Sequence, residues 1–449
     1  MIGIKSANVL EYKKTNKTTG KRFSMTSYNS RNIALIAFGA FIWSIYFAIQ
    51  GQFLNDYIAD LASYSPLIIS LMISLVSLTG AVTSVIAGAV SDNLNSDFGR
   101  RKVFILSGGV TSALVLFLLP LNQSIVFIIG LNVVMSILNT AAFVCNNSFI
   151  PDISNGQKLG KTNAFASLGT SIGTVAGFTI MLLNLSSNVF FFTGAICSLG
   201  FLLVGFLFQE PKTLIQPKKW YLAIRETFQL SNLKMEKKFF RFLISQFLLH
   251  IGINCYMPFL LIFLTQENDP ISGELIGLGL SLQNGEVLIV FAVMTCISLL
   301  FTLPFGTIID KTDTRFVLII SRIAFAFATA LIALTPIFRT VNPLILGIIF
   351  IIPFAIANTA DIISRGALMH ILAPKEKRGQ FLGILFLAKI LAQIPGVFIG
   401  GIIAQFFQRG YMFGFIIGGI FLLLSIPFII LSGFKNLHVK RIEKTTTPT

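Results

Sequence analysis

Twelve long apolar runs, bounded by charges, Pro or Asn clusters, set the pattern of this chain. They fall at 31–53, 64–91, 103–120, 123–146, 162–183, 187–208, 239–264, 286–309, 316–337, 343–370, 380–406 and 410–432. A helix crosses a hydrocarbon core with roughly 20 apolar residues, so each run is long enough to span. The pattern predicts an all-α polytopic membrane protein with twelve transmembrane helices. Composition agrees: 54% of the 449 residues are hydrophobic, 12% are charged and the mean hydropathy is +0.82. That is half the charge of a typical soluble domain, about 25%. No uninterrupted polar stretch reaches the roughly 50 residues of a soluble catalytic domain, so no enzymatic activity and no cofactor are expected. The first 30 residues are basic without an apolar core, so the first span is expected to direct insertion itself.

The net charge of +16 comes from 34 Lys and Arg against 18 acids, and its placement decides its meaning. Alternate connections collect it: the N-terminal cluster, Arg100 to Lys102, Lys158 and Lys161, the stretch from Lys212 to Arg241, Lys311 and Arg315, Lys375 to Arg378, and the C-terminal tail. The other side keeps only Arg339 and Arg409. By the positive-inside rule both termini are cytoplasmic, in a plasma or inner cell membrane. Basic residues scattered over short loops beside anionic lipid need no nucleic-acid partner. Cys145, Cys197, Cys255 and Cys296 all sit inside apolar runs without paired spacing. They are expected to be buried small residues, with neither a disulfide nor a metal site.

The longest connection, 209–238, divides the chain into two sets of six spans, 31–208 and 239–432, with tails at 1–30 and 433–449. Gly88 and Asp92, closing the second span, recur as Gly306 and Asp310, closing the eighth, at an offset of 218 residues. Lys158-Leu159-Gly160 recurs as Lys377-Arg378-Gly379 at an offset of 219. Matching offsets point to a duplicated six-helix unit, the means by which many secondary transporters enclose a midplane site between two bundles.

After the second span the chain reads Gly88-Ala-Val-Ser91-Asp92, then Ser96-Asp97-Phe98-Gly99-Arg100-Arg101-Lys102. This resembles the loop signature of the major facilitator superfamily, and its longer form is similar to that of the glycoside-pentoside-hexuronide cation symporters and sucrose transporters. The resemblance implies a major facilitator fold of two six-helix bundles, a monomer, and a gating role for Asp92, Gly99, Arg100 and Arg101. A carboxylate at a helix end facing fixed guanidinium groups makes a contact that locks in one state and releases in another. The second copy keeps Asp310, Lys311 and Arg315 but has no glycine between them. Melibiose-type members place two aspartates on the second span, where this chain has Thr83 and Ser84 in an acid-free stretch. The sucrose type carries an Arg ahead of the aspartate ending the fourth span, where Asn146, Asn147 and Ser148 precede Pro151 and Asp152. Asp152 matches and the Arg does not.

Ionisable groups inside a span cost about 2.5 to 3.5 kcal/mol at the bilayer centre, so each is a functional candidate. Asn358, Asp361 and Arg365 stand at i, i+3 and i+7 on the tenth span, sharing one face. They read equally as a coupling carboxylate held ionised by Arg365 and as a neutralised structural pair. Lys389 lies ten residues past Gly379, about 15 Å into the bilayer, with Asp361 as its expected partner. Members of the resembling group carry a Lys near this depth of the eleventh span. Arg322, near the start of the ninth span, is expected to snorkel to the surface. His250, about 16 Å from Phe239, and Asn254 are four apart on the seventh span. His250 suits a proton relay, a sugar hydroxyl or a bond to a neighbouring helix alike. Gln50, Gln52, Asn55 and Asp56 gather on the first span, and Asn139, Asn146 and Asn147 on the fourth. Amides suit polyhydroxylated ligands and also join helices, while small-residue stretches at 169–177 and 396–401 suit close packing.

The expected function is secondary transport of a small hydrophilic solute, a sugar or glycoside, by alternating access with symport of a cation, the proton. The same fold serves an exporter of a drug, metabolite or lipid-like compound, or a non-transporting sensor or scramblase. No phosphate-binding Gly-rich loop with Lys and Ser/Thr is present to couple nucleotide hydrolysis.

Overall fold

The computed structural model describes residues 30–61, 65–94, 96, 98–154, 159–183, 188–209, 237–265, 279–338, 341–372, 378–407 and 410–432. The expected linker and both tails lie outside these residues except at their edges. All described elements are helical. Eleven helices are long and apolar enough to cross a membrane. The fifth span is the helix Leu159–Leu183, 25 residues long, with an apolar segment over Phe165–Met181. With it, the twelve expected spans all appear.

Apolar content located the spans better than their ends. The first does not stop at 53: Ser30–Ala48 continues through a π-helical turn, Ile49–Phe53, into Leu54–Leu61. The fourth runs Ile125–Ser154, past its apolar stretch. The seventh, Lys237–Tyr256, breaks at a 3-10 turn, Met257–Phe259, before Leu260–Thr265. Pro258 has no N–H to continue the α-helical ladder there. Large apolar side chains such as Leu300, Leu303, Phe316, Phe327 and Ile349 point outward, as a lipid-facing surface requires. Cys296 is exposed too, which corrects its expected burial; Cys145, Cys197 and Cys255 are buried. It occupies the outward face of the eighth span, Asn284–Lys311, where lipid and interior are equally apolar.

Within a bilayer helices gain little from excluding water, so they associate where small residues let backbones approach. Gly169, Gly173 and Gly177 present one face of the fifth span to the first, and Gly396 and Gly400 present one face of the eleventh to the seventh. A Cβ added at Gly173 would lie 2.3 Å from the Phe41 carbonyl oxygen. Gly173→Leu is therefore expected to abolish recovery of folded protein in detergent. Gly130→Ala, with open space around its Cβ, should leave stability unchanged or raise it by up to about 1 kcal/mol. Equal thermal unfolding of the two variants would contradict this packing.

An even number of spans puts Ser30 and Ser432, the first and last described residues, on one face, the terminal face, and the two bundles meet towards the opposite one. There Ser70 Oγ of the second span, Pro66–Asn93, donates to Val397 O of the eleventh, Arg378–Phe406, at 3.0 Å. Gln52 Nε2 and Asn55 Nδ2 donate to Met257 O (3.3 Å) and Pro258 O (3.2 Å), carbonyls carried by the turn that breaks the seventh span. Phe178 of the fifth span stacks on Phe291 of the eighth with centroids 3.9 Å apart. These contacts join the two bundles on the far face.

Candidate functional site

Beneath those contacts lies a cavity of about 390 Å³, near the small end of the roughly 300–1,000 Å³ range of ligand pockets. Its lining residues come from the first, second, fourth, seventh and eleventh spans, and none is charged. Seven side-chain amides face it: Gln50, Gln52, Asn55, Asn132, Asn139, Asn254 and Gln393. Ser77, Ser136 and Thr140 add hydroxyls, and Phe47, Phe143 and Phe386 add rings. The π-helical turn has a direct role, because it brings three consecutive residues, Gln50, Gly51 and Gln52, onto the lining. Such turns recur at functional sites because the extra residue rotates the rest of the helix about its axis. Gln50 Nε2 donates to Asn132 Oδ1 at 2.8 Å, fixing both amides. Asn139 Oδ1 and Gln52 Oε1 are buried acceptors without a hydrogen-bond partner in the protein. They suit the hydroxyl hydrogens of a ligand.

The ionic groups lie apart from the cavity, inside the second bundle. Asp361 of the tenth span, Pro343–Leu372, is 1% exposed and Arg322 of the ninth, Thr314–Leu334, is 0% exposed. Arg322 Nε donates to Asp361 Oδ1 at 2.9 Å, and its Nη1 donates to Ser245 Oγ (2.8 Å) and Ser425 Oγ (2.9 Å). One guanidinium thus ties together the seventh, ninth, tenth and twelfth spans. This overturns the expected snorkelling of Arg322: Arg315 and Leu318, on the turns between it and the surface, are buried too, and the tenth span brings a carboxylate to it in the bundle interior. Arg365, 12% exposed, keeps the expected ion pair at a longer 3.7 Å from Nε to Asp361 Oδ2. Its Nη1 lies 3.3 Å from His250 Nε2. A guanidinium only donates, so Nε2 accepts and the neutral imidazole carries its proton on Nδ1. Of the three uses open to His250, the bond to a neighbouring helix is the one seen.

Lys389 does not pair with Asp361 as expected: no carboxylate among the described residues lies within 4.0 Å of it. Arg322, arriving from the ninth span, holds that carboxylate instead. Asn254 Nδ2 donates to His250 O at 2.6 Å, so one turn of helix carries both a cavity amide and a ligand of the ionic network. Asn358 is half-buried without a described partner, and Asn146 packs beside Gly39 rather than on the cavity. Asn55 is buried at the contact between the bundles and on the lining.

In the loop after the second span Gly99 has φ 113°, a left-handed conformation that glycine adopts without strain, and its N–H donates to Ser96 O. Arg101 is buried, with its guanidinium carbon 6.0 Å from the centre of the Phe149 ring of its own bundle, and Arg100 is half-buried beside it. In the second copy Asp313 caps the ninth span by accepting from the Arg315 N–H at 2.9 Å, and Arg315 is buried. The side chains of Asp92, Asp152 and Asp310 lie outside those described. Asn132, Ser136, Thr140, Ser77 and Gln393 were not legible as lining residues, since single polar residues on apolar helices carry no mark of the direction they face.

Twelve spans around a central polar cavity are the architecture of a polytopic membrane transporter. The family model of the Major Facilitator Superfamily matches residues 33–237 and 242–448, one match for each half. The chain belongs to this superfamily and is a transporter rather than an enzyme. Solved structures agree in fold. The nucleoside transporter NupG superposes with a TM-score of 0.68 at 15% identity, over 91% of this chain and 100% of that one. The D-xylose-proton symporter gives 0.63 at 16% identity, over 90% and 98%. The human organic anion transporter MFSD10 gives 0.62 at 13% identity, over 89% and 99%. At these identities the likeness concerns the fold alone. No curated protein sequence matches the chain.

Proposed function

We propose that the protein carries a small polyhydroxylated solute, a sugar or glycoside, by alternating access coupled to proton symport. The observation that supports this most is the uncharged cavity with seven amides and three phenylalanine rings. Amides offer a donor and an acceptor on one group, matching hydroxyls that do both, while rings cover the apolar faces of a sugar. The nucleoside and D-xylose transporters that share the fold handle polyhydroxylated solutes by name. A drug exporter is less consistent with ten polar side chains on twenty lining residues.

Asp361 is the group proposed to take up the proton. It is buried, and the charged and titratable groups around it are Arg322, Arg365, Lys389, His250 and Tyr256. Protonation would weaken its hold on Arg322 and so loosen the tie among four spans, the bistable element that symport needs. With the termini cytoplasmic, as the basic loops indicate, the contacts that join the bundles on the far face support reading this as an inward-facing arrangement.

The test is uptake of labelled mono- and disaccharides by proteoliposomes under an inward proton gradient. Concentrative uptake that collapses with an uncoupler is expected, along with its loss in Asp361→Asn. Flat traces for every sugar would end the proposal. Asn139→Leu removes a partnerless acceptor from the wall, so the protein should stay folded while apparent affinity for the transported sugar falls about tenfold, or about 1.4 kcal/mol. An unchanged KM would take Asn139 out of the binding site.

A further inference from the structure

The two oxygens of Asp361 are held unequally. Oδ1 accepts from Arg322 Nε at 2.9 Å, whereas Oδ2 is buried and accepts no hydrogen bond from the described residues. Two guanidinium groups come near Oδ2 without supplying one. Arg322 turns Nη1 to Ser245 and Ser425 and leaves Nη2 without a partner, so its fork does not close on both oxygens. Arg365 stops with Nε 3.7 Å from Oδ2, in ion-pair range but beyond a hydrogen bond, while its Nη1 lies 3.3 Å from His250 Nε2. Hydrogen bonds accepted by a carboxylate favour its ionised form, so a proton adds most readily to the oxygen that accepts none. We infer that the proton taken up by Asp361 goes to Oδ2, and that His250 is a positioning residue that keeps this oxygen open by drawing Arg365 aside. The inference rests on Asp361 being the proton acceptor, as proposed above, and adds the oxygen that takes the proton and the residue that controls it.

Arg365 follows Asp361 by four residues on the tenth span, a spacing that puts the two side chains on one face. Left to itself, such a pair closes to about 2.7 to 2.9 Å. What competes for the guanidinium is the imidazole of the seventh span, whose neutral Nε2 is an acceptor. The turn that carries it is itself tied, because Asn254 Nδ2 donates to His250 O at 2.6 Å. Asn254 also lines the cavity, so one turn of helix joins the cavity wall to the partner of Arg365. The charged and titratable groups facing His250 and Asp361 are Arg322 from the ninth span, Arg365 from the tenth, Lys389 from the eleventh and Tyr256 from the seventh. The three cations only donate, so none of them can replace Nε2 as the acceptor for Arg365. In the uptake step a lone pair of Oδ2 forms an O–H bond, no bond breaks, and the neutral acid holds both guanidinium groups less firmly. His250 stays neutral throughout.

Infrared difference titration of the full-length protein in liposomes tests this without transport. The C=O stretch of protonated carboxyl groups is followed as the pH falls, and the band lost in Asp361→Asn belongs to Asp361. In His250→Leu, which offers no acceptor, Arg365 closes on Oδ2, so the band should appear about one pH unit lower than in wild type, or more. His250→Gln places its side-chain oxygen near the position of Nε2 and should match wild type within about half a unit, although it cannot titrate in this range. His250→Asn, whose shorter amide stops near the position of Nδ1, should shift as His250→Leu does, and it serves alone if the leucine variant does not fold. Arg365→Gln should move the band to higher pH, and adding His250→Asn to it should move it no further, because no guanidinium is left to position. Equal midpoints in wild type and His250→Asn overturn the role of His250 and leave Asp361 as the site of the proton. A shift in His250→Gln as large as in His250→Asn overturns it too, since His250 then acts by titrating or packing. No band lost in Asp361→Asn removes this inference together with the proton-accepting role of Asp361. Sugar uptake plays no part in the measurement, so a wrong solute leaves the result standing.

Discussion

Replacing Gly401 by valine is expected to yield a folded protein that no longer closes its far face. A Cβ at this position would lie 1.8 Å from Ser70 Oγ, 2.9 Å from Ser70 Cβ and 3.0 Å from the Pro66 carbonyl oxygen. These atoms belong to the second span, across the seam from the eleventh, so the clash acts only while the bundles are together on this face. Rotating Ser70 away would give up its bond to Val397 O. Overpacking of this kind costs about 1 to 3 kcal/mol, and as a bias between two states that is roughly 5- to 150-fold in population. The readout is labelling of Ser77→Cys, a cavity-lining position, by a membrane-impermeant thiol reagent applied from the far side. Labelling should rise at least tenfold in Gly401→Val and transport should fall in step. Gly285→Ala, with nothing near its Cβ, should change neither. Full transport with unchanged labelling would show that the seam between the second and eleventh spans is not a gate.

The largest loss of stability is expected from Asp361→Leu. It leaves Arg322, Arg365 and Lys389 in one bundle interior with no carboxylate among the described residues, and breaking a buried pair in this way costs about 3 to 5 kcal/mol. Removing Arg322 as well, in Arg322→Met/Asp361→Leu, takes out the most deeply buried cation together with its partner. Replacing both members of a buried pair by apolar residues of similar size is often close to neutral. The double variant should therefore recover at least half of the lost stability while remaining inactive in proton-driven uptake. The denaturant midpoint of the detergent-solubilised protein measures the first effect and proteoliposome uptake the second. Additive losses in the double variant would mean that Arg322 and Asp361 are not coupled. Recovered stability with recovered uptake would remove Asp361 from coupling.

Much of this was legible in the chain before any contact was known. Gly173 and Gly400 sit in small-residue stretches that announce close packing whatever the neighbour, and Gly99 stands where a loop turns sharply between charged residues. Gln50, Asn55 and Asn254 are conspicuous because a polar amide among apolar residues has a cost that some partner must offset. The sequence says less about what that partner is. Asn146 and Asn139 are equally polar and lie on the same helix, yet one packs beside Gly39 and the other lines the cavity. Two turns of helix separate them, and the path of the span relative to its neighbours decides which meets the cavity.

Arg322 marks the boundary most clearly. Eight residues beyond Thr314, about 12 Å along the axis, a long side chain can either reach back to the surface or stay inside. Its burial was settled by three other helices that bring Ser245, Asp361 and Ser425 to within 3 Å of it. The number, order and orientation signal of the spans belong to the sequence, because insertion into lipid depends on the hydropathy and flanking charge of each segment by itself. Which carboxylate meets which cation, and which amides share a cavity, depends on helix rotation and breaks such as the turns at Ile49–Phe53 and Met257–Phe259. Those are fixed by packing between segments far apart in the chain, so they emerge only when the helices are assembled.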